Sequence, residues 1–365
     1  MSLRRPDFSL EAVVRPNIWK LQPYRCARDD YSEGILLDAN ENSFGPAVAL
    51  ETELGDLQLE RYPDPHQVEL KALLAQFRNV PSPDYFFLGV GSDESIDLII
   101  RVFCTPAKDK ILITPPTYGM YSVCAQVNDV GVVKVPLITE DASFQLDLPE
   151  MFKAIDADPT IKAIFLCSPG NPTSSLLKHE DIAAVLNYEN FRGVVVVDEA
   201  YIDFCQDQTV SEWAKEYPNL IVTQTLSKSF GLAGIRLGIA IAQPSIARIL
   251  NSTKAPYNIS SLTSKHAIAA LGPAGISSMK VKVASIESER ARLLRELGAF
   301  AQIRLIGTNQ ANFVLAQCLS AEGAPDNQLA HSIYKSMAEK NKIVVRFRGN
   351  EPWMPGLASG QSGSS

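Results

Sequence analysis

Between residues 84 and 241 short apolar runs alternate with longer amphipathic stretches. The runs FFLGV, KILIT, VVKVPL, KAIFLC, GVVVV and NLIVTQTL are rich in valine and isoleucine and lack regular polar alternation. Each predicts a strand covered on both faces. GSDESIDLIIRVFC, PTYGMYSVCAQVND and HEDIAAVLNY predict helices between them, the first with polar residues at its mouth. The alternation predicts an α/β fold with a largely parallel sheet between two helical layers. From about Met279 the texture changes. A charged helix, KVKVASIESERARLLRELGAF, leads to short strands at IRLIG, ANFVLAQ and KIVVRF with one helix among them, a smaller α+β unit. The Gly/Ser/Pro-rich WMPGLASGQSGSS is expected to be disordered. The chain thus divides into an N-terminal arm (1–45), a large domain (46–275), a small domain (276–352) and a tail (353–365).

Composition narrows the function. A chain of 365 residues with 46% apolar content can bury a large core, and a net charge of -7 without a basic stripe argues against a nucleic-acid partner. No apolar run has the length of a membrane span, and MSLRRPDFSL lacks the apolar centre of a signal peptide, so the cytoplasm is the expected compartment. The six cysteines are dispersed without CxxC pairs and read as reduced core residues. The four histidines (66, 179, 266 and 331) form no metal-binding pattern, and no metal is expected. Acid–base chemistry must then come from another side chain, which brings lysine forward.

In open α/β sheets ligands gather at the carboxyl ends of the strands. Three predicted strands end in polar residues about one βαβ step apart: Asn171, then Asp198 with Tyr201, then Ser227 with Lys228. A fourth strand end precedes Gly91-Ser92-Asp93-Glu94, where free helix N–H groups suit a phosphate dianion; Ser227 and Arg236 can close on the same group. A phosphate cradle, a lysine, a carboxylate and a phenol around one crevice suit pyridoxal 5'-phosphate, whose aldehyde forms a Schiff base with lysine. Asp198 would then pair with the pyridine nitrogen, Tyr201 and Asn171 with the phenolic oxygen, and Tyr118 would stack on the ring.

These residues resemble a known family. LDANENSFGP (37–46), RYPDP (61–65), GSDE (91–94), PPTYGMY (115–121), SPGNPTS (168–174), VDEAYIDF (197–204) and TLSKSFGLAGIRLG (225–238) look like histidinol-phosphate aminotransferase, a fold-type I PLP-dependent transferase, over about residues 13–352. NPT, VDEAY and SKSFGLAGIRLG are shared by many aminotransferases and mark the chemistry. DANEN with FGP, then RYPDP and GSDE, mark the histidinol-phosphate branch. The resemblance implies a PLP-binding large domain and assigns Lys228 as the Schiff-base lysine and the acid–base that moves the α-proton. Thr225, Ser227, Arg236 and the amides of Ser92 and Asp93 would hold the cofactor phosphate. Tyr62 matches a tyrosine that reaches across a homodimer interface to the neighbour's cofactor. Tyr24, Asn40 and Arg346 match substrate-binding positions. The implied reaction moves an amino group between L-histidinol phosphate and 2-oxoglutarate, giving imidazole acetol phosphate and glutamate, in histidine biosynthesis.

There is one departure. Family members continue through a Leu-Arg-Ile-Thr/Ser-type strand, whereas here the chain reads VVRFRGNEPWMPGLASGQSGSS and Arg348 is the last arginine. The missing arginine normally meets the substrate's carboxylate or phosphate. Leaving that anion unpaired costs about 2–5 kcal/mol, and a small domain short of one strand exposes a sheet edge. The leading expectation is therefore an active or impaired histidinol-phosphate aminotransferase. Two alternatives keep the same site: another PLP enzyme of the group such as threonine-phosphate decarboxylase, which DANEN with RYPDP disfavours, and a non-catalytic PLP-binding dimer partner.

Overall fold

In the computed structural model, which describes residues 4–22, 57–139, 142–205, 207–349 and 357–361, the apolar runs pair edge to edge. The strands are β1 (Phe86–Val90), β2 (Lys110–Ile113), β3 (Gly131–Lys134), β4 (Ile161–Cys167), β5 (Val194–Asp198), β6 (Leu220–Thr225) and β7 (Leu237–Ala242). They form one sheet in the order β1-β7-β6-β5-β4-β2-β3. β2 to β6 pair in parallel, and β7 runs antiparallel to both neighbours. Two reversals leave β1 pointing the same way as β6, so the carboxyl ends of β1, β4, β5 and β6 share one rim.

Successive side chains of a strand face opposite sides, and here both sides are apolar. Phe86, Ile164, Leu166, Val195, Val197, Leu220 and Val222 enter one core, with Leu70 and Leu74 of α1 (Val68–Phe77). Phe87, Ala163, Phe165, Val194, Val196 and Ile221 enter the other. They meet Ile96, Ile99 and Phe103 of α2 (Gly91–Phe103) and Tyr121 of α3 (Met120–Val127). Each buried valine contributes about 1.5–3 kcal/mol, enough for β5 to carry carboxylates at its end. The outer layers are completed by α4 (Leu148–Ala157), α5 (His179–Asn187), α6 (Pro244–Thr253) and α7 (Ser261–Leu271). On the side of the α2 core Val13 and Val14 are buried, and the Arg15 N–H donates to Val102 O at 3.0 Å.

The charged helix α8 runs from Pro273 to Leu297, beginning before Met279 because Pro273 fits a first helical turn. Beyond it lie β8 (Ile303–Ile306), β9 (Phe313–Cys318), α9 (Asn327–Lys340), β10 (Arg346–Phe347) and β11 (Leu357–Gln361). Two sequence-based expectations change here. KIVVRF pairs only through its last two residues. And Leu357–Gln361, expected as disordered tail, forms a strand between β9 and β10, so the small sheet has four strands in the order β10-β11-β9-β8 and its inner edge is not left open. Pairing there uses the main chain, which a segment of small residues supplies as well as an apolar one, and the unpaired edge of β9 is the template.

Candidate active site

The four strand ends on the shared rim enclose a cavity of about 190 Å³. Its wall includes Ser92, Asp93, Tyr118, Asn171, Asp198, Tyr201, Thr225, Ser227, Lys228 and Arg236, so the predicted cofactor residues converge with the exception of Tyr62. The alternation of β5 decides how Asp198 is presented. It falls on the face of Val194 and Val196, where α3 delivers Tyr121. The Tyr121 hydroxyl donates to Asp198 Oδ2 at 2.7 Å, and the Ala200 N–H donates to Oδ1 at 3.2 Å. Asp198 is only 3% exposed. Burial raises its pKa above the ordinary carboxylate value, and the Tyr121 and Ala200 hydrogen bonds oppose that shift. A lone anion is therefore disfavoured at this position; a carboxylate next to a cation is not.

Lys228 follows β6 in a turn held by Gly231 N–H to Lys228 O at 3.1 Å and Leu232 N–H to Leu226 O at 3.1 Å. Its Nζ stands 5.6 Å from the centre of the Tyr201 ring. Asn171 Nδ2 donates to Tyr201 Oη at 3.4 Å. Burial raises the Tyr201 pKa, so its phenol keeps its proton at neutral pH. Tyr118 donates to Asp93 Oδ1 at 3.0 Å, and burial followed by the charge of Asp93 raises its pKa too.

At the opposite end of the cavity, β1, β7 and the start of α2 come so close that side chains are excluded. A Cβ on Gly91 would overlap the Arg236 guanidinium, and one on Gly238 would overlap the backbone of Gly91 and Ser92. Gly91 also has φ +75°, which glycine adopts without strain. The Gly91 N–H donates to Arg236 O at 3.0 Å. The N–H groups of Ser92 and Asp93, in the first turn of α2, have no partner within the helix and lie at its positive end. Thr225 Oγ1 and Ser227 Oγ are 2.7 Å apart at the same spot. Arg236 holds a left-handed backbone (φ 53°, ψ 57°), a strained choice for a residue with a side chain, and its guanidinium is half-exposed with Asp93 Oδ2 at 3.7 Å. Backbone donors, two hydroxyls and a cation thus surround one small volume, as a phosphate dianion requires.

Several sequence expectations fall elsewhere. Tyr62 is 51% exposed and stacks on Tyr257, with ring centres 4.6 Å apart, away from this chain's own cavity. Tyr24 and Asn40 lie outside the described residues. Arg346 is exposed on β10 and does not line the cavity. Arg348 does not line it either, but its Nη2 donates to Oδ1 of Asn171, which does, at 3.1 Å. β10 sets which of the two arginines turns inward, and VVRFRG gives no hint of it. Sequence reasoning also missed Tyr121, which lies three residues after Tyr118 in the first turn of α3 and packs edge-on against its ring at 5.6 Å.

A profile of the family described as aminotransferase class I and II matches residues 32–358. The chain belongs to the class I and II aminotransferases, enzymes that work with pyridoxal phosphate. It is 49% identical over 359 residues to the histidinol-phosphate aminotransferase of Saccharomyces cerevisiae, a match covering 94% of this chain and 91% of the yeast protein. Within the family its relatives are therefore the histidinol-phosphate aminotransferases. The solved histidinol-phosphate aminotransferase of Clostridium acetobutylicum superposes with a TM-score of 0.73 at 26% identity, covering 86% of this chain and 89% of that one. The Sinorhizobium meliloti enzyme, solved in complex with pyridoxal-5'-phosphate, superposes with a TM-score of 0.74 at 23% identity, covering 90% and 86%, and shares the fold. Among the described residues no helix is long and apolar enough to cross a membrane.

Proposed function

We propose that this chain is a pyridoxal-phosphate-dependent aminotransferase that moves an amino group between L-histidinol phosphate and 2-oxoglutarate, giving imidazole acetol phosphate and glutamate, in histidine biosynthesis. The observation that carries the chemistry is the convergence of Lys228, Asp198 and the glycine-lined anion cradle on one cavity. The cradle fits a phosphate, and the buried carboxylate fits a cationic ring nitrogen at the far end. When bound, the cofactor supplies an aldehyde carbon that takes and returns the amino group and a ring that withdraws electrons from the substrate's α-carbon. Asp198 holds a proton-bearing nitrogen in its charged form, because that charge relieves the penalty of its own burial. Tyr201 keeps its proton for an oxygen in the cavity, with its Oη already accepting from Asn171. Ser92, Asp93, Thr225, Ser227 and Arg236 anchor the phosphate. Lys228 Nζ carries the α-proton.

We assign the substrate's anion to Arg348, the small-domain arginine that reaches the cavity through Asn171, and leave Arg346 no such role. β11 closes the small sheet without bringing an arginine. The functional unit in this reading is a homodimer in which Tyr62, exposed beside Tyr257, completes the neighbour's phosphate site. A single-turnover experiment tests the function: holoprotein mixed with L-histidinol phosphate should lose its visible absorption band and release imidazole acetol phosphate, and 2-oxoglutarate should restore the band. Carbon dioxide release from L-threonine O-3-phosphate, with no amino transfer, would overturn the assignment.

A further inference from the structure

Strand alternation sends the residue after Asp198 to the opposite face of the sheet. Glu199 points away from the cavity, into the layer of α1, together with Gln224 of β6. Gln224 Nε2 donates to Glu199 Oε2 at 2.7 Å, and Arg78 Nε donates to Gln224 Oε1 at 2.7 Å. Arg78 caps the carboxyl end of α1, and its Nη2 lies 2.8 Å from Asp203 Oδ1, with the two side chains 10% and 9% exposed. Asp203 Oδ2 accepts from the Ser229 hydroxyl. One buried guanidinium is therefore tied, on one branch, to the neighbour of Asp198 and, on the other, to the neighbour of Lys228.

A second contact falls on the same turn. Phe77, just before Arg78, packs edge-on against Phe230, with ring centres 5.6 Å apart. The Arg78 guanidinium itself lies over the Phe77 ring at 4.3 Å. The end of α1 thus grips both residues that follow Lys228, one by a hydrogen-bonded ion pair and one by ring packing. None of these groups lines the cavity.

We propose that the Phe77–Arg78 end of α1 is a positioning clamp. It fixes the Lys228 turn through Asp203, Ser229 and Phe230, and it references that turn to the Asp198 strand end through Gln224 and Glu199. Arg78 is a positioning residue, not a catalytic one. Its function rests on the proposed roles of Lys228, which carries the α-proton, and Asp198, which holds the ring nitrogen: the lysine must stay in register with a ring that Asp198 fixes, and a displacement of about 1 Å costs about a hundredfold in rate. The ion pair suits this task because a planar guanidinium fixes direction as well as distance.

The test uses the holoenzyme and four variants: Arg78→Met, Arg78→Lys, Asp203→Asn and Ser229→Ala. Ser229→Ala keeps the Arg78–Asp203 pair intact and so remains informative if Arg78→Met does not fold. The expected result is a fall in kcat of about tenfold for Ser229→Ala and about a hundredfold for Arg78→Met, with KM within about threefold of wild type. Arg78→Lys should recover part of that loss. The pH titration of the visible band should shift in the same order, and hydrogen exchange in residues 226–232 of the cofactor-free protein should quicken. Unchanged exchange and an unmoved titration in Ser229→Ala, or lower thermal stability in all variants with the titration unmoved, would overturn the clamp. Absence of a visible band in the wild type would instead overturn the cofactor reading, so the two failures are separable.

Discussion

Replacing Tyr121 by phenylalanine deletes one hydroxyl from the contact that presents Asp198. The ring itself is held by stacking on Phe165, with centres 4.9 Å apart, and phenylalanine keeps that packing. What is lost is a 2.7 Å hydrogen bond to a buried carboxylate. Bonds to a charged partner contribute about 1.5–3 kcal/mol, and this one favours the ionised form. Its loss therefore raises the Asp198 pKa further in the direction that burial already sets. The sign follows from the direction of the existing shift. Asp198 has a folded pKa already raised by burial, so the stability it contributes is present below the unfolded carboxylate value and is lost as pH rises through the folded pKa. In the variant that loss is larger and extends to higher pH. Urea unfolding of the cofactor-free protein across pH should show Tyr121→Phe destabilised relative to wild type by an amount that grows with pH, reaching about 1.5–3 kcal/mol more on the alkaline side than on the acid side. A difference independent of pH would show that the hydroxyl does not face an ionising carboxylate and would refute the reasoning.

Glu199 titrates in the accessible range. Burial raises its pKa from 4.5 to about 7, against donation by Thr209, Val210 and Gln224. Its stabilising contribution is complete below 4.5 and disappears as pH passes about 7, so wild type should lose about 3 kcal/mol over that interval and Glu199→Gln should not; equal pH profiles in urea unfolding would contradict this. Arg348→Met should leave the cofactor's absorbance unchanged while raising KM for substrate by about thirtyfold or more, the equivalent of losing a 2–5 kcal/mol anion contact; steady-state kinetics with both substrate pairs check it. Mixing Lys228→Ala and Tyr62→Ala subunits should restore about a quarter of wild-type activity, because half of the randomly formed dimers would hold one intact shared site. If Tyr62 serves its own chain, mixing restores nothing.

The rim of the site was legible because strands covered on both faces leave few places for polar residues. Against runs such as GVVVV and KAIFLC, the residues Asn171, Asp198 and Lys228 mark their strand ends plainly, and the intervals between them suit single βαβ steps. What sequence could not give is set by tertiary placement. LGIAIA carries no sign of its direction, so the antiparallel course of β7, which brings Gly238 against Gly91, emerges only from pairing. Tyr118 precedes α3 and Tyr121 lies in its first turn, their rings packed edge-on at 5.6 Å, and the position of α3 decides that the second meets Asp198. Arg346 and Arg348 flank one phenylalanine, and only the seat of β10 turns the latter toward Asn171. LASGQ has the composition of a loop, yet an unpaired neighbour makes it a strand. Arg78 sits at the end of an ordinary amphipathic helix, and nothing in that segment announces Asp203, which lies far along the chain.

The most direct measurement is borohydride reduction of the holoprotein followed by peptide mapping. The mechanism predicts a single pyridoxyl phosphate adduct on Lys228, with loss of the visible band, and no adduct in Lys228→Ala. An adduct on a different lysine of the wild-type chain, or a visible band that survives in Lys228→Ala and reduces onto another residue, would contradict it.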